Sequence, residues 1–400
     1  MLAMEMLRRR IARCAWILFM VSLAACTKAP VSEFVRNNNE LSINVFNELL
    51  KIGEDSFVFG IFCLDAIIAL TCLGAGGDTA KEIKSAFNWN ISDTRLTTDF
   101  EYVIKELKSI RNLNIHIANR IYLNHHISVD PKFLKIAEAF DTSIENVNFS
   151  TPQDATKKIN SWVEKQNGGK TGRVAEEGNI NTLTNMVLIN SLYFQGRWKH
   201  PFLLNETKQT DFYISKNETV KIDMMKITGH FLLDINKRVG TKMLRIPYQN
   251  EKADMFLLLP DDVDGFHRIA KNARSLWGER DFKSVYTTVY LPKFKVKSSL
   301  DMIPIMKNMG VSKLFSSADL GGISKQNVSV SSVIQKNYLS IDEIGTESDD
   351  TVPDAGPAEK PIPAPNEKAQ VFRADHPFVF GVLYDGFSLI AGRYSGPQAE

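Results

Sequence analysis

Cysteine is scarce: the 400 residues hold four, and two of these, Cys14 and Cys26, lie in the N-terminal segment. The remaining pair, Cys63 and Cys72, make no disulfide framework. Both sit within the apolar run Ile61 to Leu73, where two buried small hydrophobes are the expected reading rather than a bridge. A surplus of one charge is lacking too. The formal +2 comes from Arg8, Arg9, Arg10 and Arg13 at the N-terminus, and without residues 1–25 there are 44 basic against 45 acidic residues, net −1. No basic patch for nucleic acid is promised, and none is expected as a partner. The chain has neither a His-Glu-x-x-His zinc site nor a Gly-x-Ser-x-Gly nucleophile elbow. Gly169-Lys170-Thr171 echoes a phosphate loop, but Glu164 stands where its first glycine belongs and a helical pattern precedes it. Gly74 to Asp78 fails the dinucleotide fingerprint for want of a preceding strand. His125-His126 has no acidic or Cys partner at ligand spacing and reads as solvated surface. None of these motifs implies a cofactor, a metal or a catalytic residue. No repeat of 20 to 50 residues is visible.

What is there begins with a targeting device. Met1 to Arg13 is basic, Cys14 to Ala25 is mostly apolar and too short to span a bilayer, and the run closes on small residues, the order of a secretory signal. Leu23-Ala24-Ala25-Cys26 resembles the bacterial lipobox, in which the chain is cut before the Cys and the thiol carries lipid. That resemblance implies a lipoprotein signal over 1–25, lipidation at Cys26 and an extracytoplasmic, membrane-anchored protein of the cell envelope. Thr27 after the Cys points to the outer membrane where a cell has two. Residues 26–39 read as a polar tether, and 40–400 as a single domain.

Apolar spacing predicts helices from Leu41 through Leu50, over Ile61 to Leu73, after the cap Asp130-Pro131 with Phe133, Leu134, Ala137 and Phe140 on one face, and along Ala155, Ile159, Trp162 and Val163. Met186 to Phe194, Met255 to Leu259 and Val285 to Leu291 read as strands, and Asp385-Gly386 as a terminal hairpin turn. Helices early and strands late favour α+β. Glu343 to Gln370 breaks the pattern, with five prolines, seven acidic residues and no aromatic. It cannot pack as core and reads as a long exposed loop of about 343–370.

Three stretches carry a family resemblance: Asn190-Ser191-Leu192-Tyr193-Phe194-Gln195-Gly196-Arg197-Trp198, Ile341-Asp342-Glu343-Ile344-Gly345-Thr346-Glu347, and Phe372-Arg373-Ala374-Asp375-His376-Pro377-Phe378-Val379-Phe380. With Leu291-Pro292-Lys293-Phe294-Lys295, Ile246-Pro247-Tyr248 and Ala118-Asn119, in family order over about 38 to 397, the chain resembles the serpins. The resemblance implies three β-sheets with eight to nine helices and an exposed reactive-centre loop. It implies a suicide-substrate inhibitor of a serine or cysteine endopeptidase: the loop is cut, and the part from the hinge onward enters the largest sheet as a new strand while the protease is still acyl-linked. The target protease is then the partner. Glu343, Gly345, Thr346, Glu347 and Asp350 fall in the hinge, Asn190, Trp198, Gln335 and Cys63 in the sheet-opening region, and family spacing puts the reactive bond at Glu359-Lys360.

Departures from the pattern keep a second reading open. With Thr346 inward, period two sends Ser348, Asp350, Val352 and Asp354 inward, where inhibitory members carry small residues. Asp350 would bring a carboxylate under the sheet, and Pro353 and Pro357 would each delete a ladder donor. The alternative is a non-inhibitory serpin acting as protease substrate or as a binding or carrier protein. In the opening region the family's Ser-Pro at the start of the second helix is set against Cys63-Leu64, and Gln335 stands where a His usually meets Asn190, so a reduced polar cluster is expected.

Overall fold

In a computed structural model, which describes residues 33–53, 55–110, 112–166, 180–277, 281–346 and 368–398, the run Ile61–Leu73 is a helix over those same residues, with all but its last residue buried. Apolar on every side but for Asp65 and Thr71, it lies in the core rather than on it. The eight α-helices of the described residues are α1 over 33–50, this α2, α3 Gly77–Ala86, α4 Asp93–Ser109, α5 Pro131–Ala139, α6 Pro152–Gln166, α7 Phe266–Trp277 and α8 Met302–Asn308. The Asp130 carboxylate accepts from the Lys132 N–H with Pro131 at the first helical position of α5, as the cap signal predicts. Leu134, expected on its apolar face, is instead 41% exposed. A one-residue offset along a 3.6 period moves it to the rim beside Phe133.

Fifteen strands complete the fold: β1 Phe57–Gly60, β2 Asn114–Asn124, β3 Thr142–Val147, β4 Met186–Arg197, β5 Lys208–Ser215, β6 Glu218–Asn236, β7 Thr241–Pro247, β8 Ala253–Pro260, β9 Lys283–Pro292, β10 Phe294–Asp301, β11 Val330–Ile341, β12 Gly345–Thr346, β13 Gln370–Arg373, β14 Phe378–Tyr384 and β15 Phe387–Tyr394. Six of them form one sheet in the order β10-β11-β12-β4-β2-β3. The other nine follow the path β1-β15-β14-β8-β7-β6-β9-β13, with β5 on β6. β6 explains why three expected sheets appear as two hydrogen-bonded systems. Its 19 residues pair β5 at one end, β9 over Met224 to Leu233 and β7 over Leu232 to Asn236, so it joins a small sheet to a larger one. The terminal hairpin turns at Asp385 and Gly386, both at positive φ, the geometry a two-residue hairpin loop needs.

The N-terminal boundary is corrected. Residues 33–39, expected in the tether, belong to α1, and Phe34, Asn37 and Asn38 are buried. Asn38 donates to the Asp65 carboxylate and accepts from the Ser388 N–H, and Asn39 bonds Ser388 and the Gly386 carbonyl. These amides are polar because they dock α1 onto α2 and the hairpin, not because they face water.

Candidate functional site

The six-stranded sheet is covered on both faces, which is why β4 and β11 read as nearly continuous apolar runs. Met186, Leu188, Leu192 and Phe194 join the main core, while Val187, Ile189 and Ile334 form a second cluster with Ala155, Ile159 and Val163 of α6. β4 and β11 pair in parallel from Met186/Val330 to Asn190/Gln335. Above that point a third segment enters: Thr346 of β12 lies antiparallel to both strands, opposite Gly196 on one side and Ile341 on the other. The sheet is thus a fork, zipped at one end and holding the start of another strand at its mouth.

The mouth is tightly made. The Gly345 backbone presses on β4 so closely that an added Cβ would lie 2.0 Å from the Gly196 carbonyl oxygen, so this position takes glycine alone. Thr346 is fully buried, its hydroxyl 2.6 Å from that of Tyr248. Trp198 stacks on Tyr248 at 4.7 Å between ring centres and donates from Nε1 to the Asp342 carbonyl, while its N–H donates to the Ile344 carbonyl. Asp342 Oδ1 accepts from the N–H groups of Ile344 and Gly345. Glu343 is buried, with Lys293 Nζ at 3.0 Å and Thr207 Oγ1 donating at 2.9 Å. Burial pushes its carboxyl up, but the hydrogen bonds from its own amide, Lys293 and Thr207 together with the Lys293 charge outweigh it and hold the pKa below the usual range. The exposed loop anticipated over 343–370 therefore starts later, since Glu343 is buried in the bend that leads into β12 and Gly345–Thr346 belong to the sheet, and it ends earlier, since Gln370 begins β13. Glu347, Asp350, Glu359, Lys360 and Cys26 lie outside the described residues.

At the zipped end the expected polar cluster is fuller than the sequence indicates. Gln335 accepts from the Gly60 N–H at 2.9 Å, and its Nε2 donates both to the Gly60 carbonyl and to Asn190 Oδ1. Asn337 Nδ2 donates to Gln335 Oε1. Cys63 lies under the fork with its thiol 3.4 Å from the Ser191 carbonyl, and burial pushes its pKa up, so it contributes a neutral, weak donor. Helix α2 starts at Ile61 with Gly60 as its cap, so the residues at the helix start are Gly60-Ile61, not Cys63-Leu64. The lost serine is replaced by a side-chain amide reaching across. A Cβ on Gly60 would stand 3.1 Å from both Asn337 Oδ1 and the Leu192 Cβ. Asn337 and Gly60 carry site geometry that no sequence motif marks, and Tyr248, part of the Ile246-Pro247-Tyr248 match, gains a site role only from the structure. Their signal was present in part: Gln335 and Asn337, two apart in an apolar strand, put two amides on one buried face. Among the described residues no group of three or more His, Cys, Asp or Glu side chains could hold a metal ion.

A family model described as "Serpin (serine protease inhibitor)" matches residues 36–397. The chain is 31% identical to ovalbumin-related protein Y of Gallus gallus, covering 90% of this chain and 98% of the relative. It is 30% identical to the leukocyte elastase inhibitor of Bos taurus at the same coverage of each. The crystal structure of Serpin48, described as a highly specific serpin of the insect Tenebrio molitor, superposes with a TM-score of 0.84 at 30% identity, over 91% of this chain and 98% of that one.

Proposed function

The chain belongs to the serpin family, whose members are generally protease inhibitors, and from that premise we propose that it inhibits a serine or cysteine endopeptidase as a suicide substrate. The observation that carries the proposal is the fork, with Gly345-Thr346 already seated between β4 and β11. Extending that register, residue 350 falls between Leu192 and Asn337 and residue 352 between Asn190 and Gln335. Ser191 to Gln195 on β4 then face residues 347–351, and any longer insertion must unzip the pairs from Asn190/Gln335 down to Met186/Val330. A newly cut loop entering this slot gains a central strand's ladder and burial on both faces, and an acyl-linked protease would be dragged with it. The reactive bond is placed at Glu359-Lys360, with lipid on Cys26 holding the inhibitor at the envelope membrane as an extracytoplasmic lipoprotein.

The same register supports the second reading, a non-inhibitory substrate or carrier. Asp350 would arrive on the core face beside Leu192, with the Asn337 amide as its nearest polar neighbour, and Pro353 would fall opposite Ile189, deep in the zipped part. Slow insertion lets a protease hydrolyse its acyl bond and leave. Incubation with a panel of serine and cysteine proteases followed by a denaturing gel separates the readings. An SDS-stable adduct is the expected result, and cleavage of the loop without adduct by every protease would leave the second reading standing.

A further inference from the structure

β2 extends beyond its outer neighbour. β3 pairs with it only from Asn119/Thr142 onward, so among the described residues Asn114 to Ala118 pair with β4 alone. Around this open edge runs a cavity of about 660 Å³, within the usual range of ligand pockets. On the core face of β2 it is lined by Leu107, Ile117 and Asn119, and on the α6 face by His116, Arg120 and Trp162. The α6 face is held in place by Arg120 over the Trp162 ring at 4.6 Å and by His116 Nε2 3.0 Å from Gln166 Oε1.

Asn119 is the informative residue. It is 2% exposed, lines the cavity, and neither its Nδ2 nor its Oδ1 has a partner among the described residues. Buried amides are nearly always satisfied, so this one awaits a ligand atom of each kind. A carboxylate or phosphate would meet only the donor and an ammonium only the acceptor. An amide meets both.

We propose that this cavity is a binding site for an uncharged, extended peptide segment that adds to β2 in line with β3. Its amide groups complete the ladder of Asn114 to Ala118, an edge of about 16 Å, and one peptide unit pairs with the Asn119 side chain. Alternate side chains then fall on the two faces, one row against Leu107 and Ile117, the other against Trp162. Of the charged side chains lining the site, Lys108 pairs with Asp141 at 2.6 Å and Arg120 with Glu145 at 2.8 Å, and Glu138 is exposed to solvent, so no cationic excess recruits an anion.

The test uses the full chain with the probe acetyl-Val-Thr-Val-Thr-Val-amide. Amide hydrogen exchange should slow at 114–118, and the affinity should drop at least tenfold in Asn119→Leu and in Trp162→Ala, whose half-buried ring packs against the second cluster from outside it. A probe N-methylated at alternate residues should not bind. Protection at 191–195 and 336–340 would place the peptide in the fork and overturn the proposal. So would equal binding of the N-methylated probe, no binding at millimolar concentration, or, should Asn119→Leu not fold, an unchanged affinity in Trp162→Ala.

Discussion

Asp65 enters the core from α2 with a single donor, Asn38 Nδ2 at 3.2 Å, while its Oδ1 has no partner and that of Asn37, lining the same small cavity, has none either. Burial pushes its pKa up to about 7, against the opposing hydrogen bond from Asn38. A folded pKa raised above the unfolded value means that the folded state holds the extra proton between about pH 4 and 7. Stability is therefore full below that window and falls as pH rises through it, by on the order of 4 kcal/mol. Asp65→Asn replaces the ionisable oxygen with a neutral donor that suits Asn37. The variant should match wild type in melting temperature near pH 4 and exceed it by several degrees at pH 8. Parallel melting curves across that range would disprove the assignment. The same residues show why α1 was read short. Asn37, Asn38 and Asn39 look like tether by composition, and the partners of Asn38 and Asn39, Asp65, Gly386 and Ser388, stand 27 or more residues away in sequence, where no local pattern reaches.

Elements whose cause is local were legible. The cap at Asp130, the apolar run of α2 and the turn at Asp385-Gly386 state their structure in their own residues. The fork was legible only through resemblance, because β12 is two residues long and its buried place depends on Gly196, Tyr248 and Trp198 from other elements. Gly345 gives a test at this scale. The Cβ of Gly345→Ala cannot fit at 2.0 Å from the Gly196 oxygen, so β12 must leave β4. Amide exchange at 196–197 and 345–346 should rise at least tenfold, with a red-shifted emission from Trp198, which is now fully buried. Unchanged exchange at those positions would show that β12 is not held by that contact. Lys293→Ala should loosen the same mouth from the other side, stranding the buried Glu343 carboxylate at a cost of about 1 to 3 kcal/mol. Its pKa is held low, so wild type should lose the difference as pH falls through the carboxylate range, measured as converging melting temperatures of the two proteins.

For the whole molecule, cleavage of the loop is the decisive perturbation. If the loop inserts, the cut protein should melt higher than the intact one. With Asp350 beside Leu192 and Asn337 that rise should be modest, larger in Asp350→Ala, and larger in wild type as pH falls, since a buried carboxylate favours its neutral form. Equal melting temperatures of cleaved wild type and cleaved Asp350→Ala would acquit Asp350 as an obstacle. At the other end, Cys26→Ser should move the protein out of the detergent phase or leave the precursor uncut, and a mature variant still sedimenting with membranes would refute lipidation. The two anchor points of the loop carry one more consequence. Thr346 is fixed in the six-stranded sheet and Gln370 in the nine-stranded one, with residues 347–369 between them. In mechanical terms the intact loop is a line made fast at both ends. Each residue drawn into the slot advances the tip by about 3.3 Å and takes that much slack from the span that remains. Seating beyond the first two residues therefore draws on the length of 347–369, and on the proposed mechanism scission removes that limit. Deleting residues from 353–365 should then draw Gly345 and Thr346 back out of the mouth, with the β4–β11 pairs and the nine-stranded sheet unchanged.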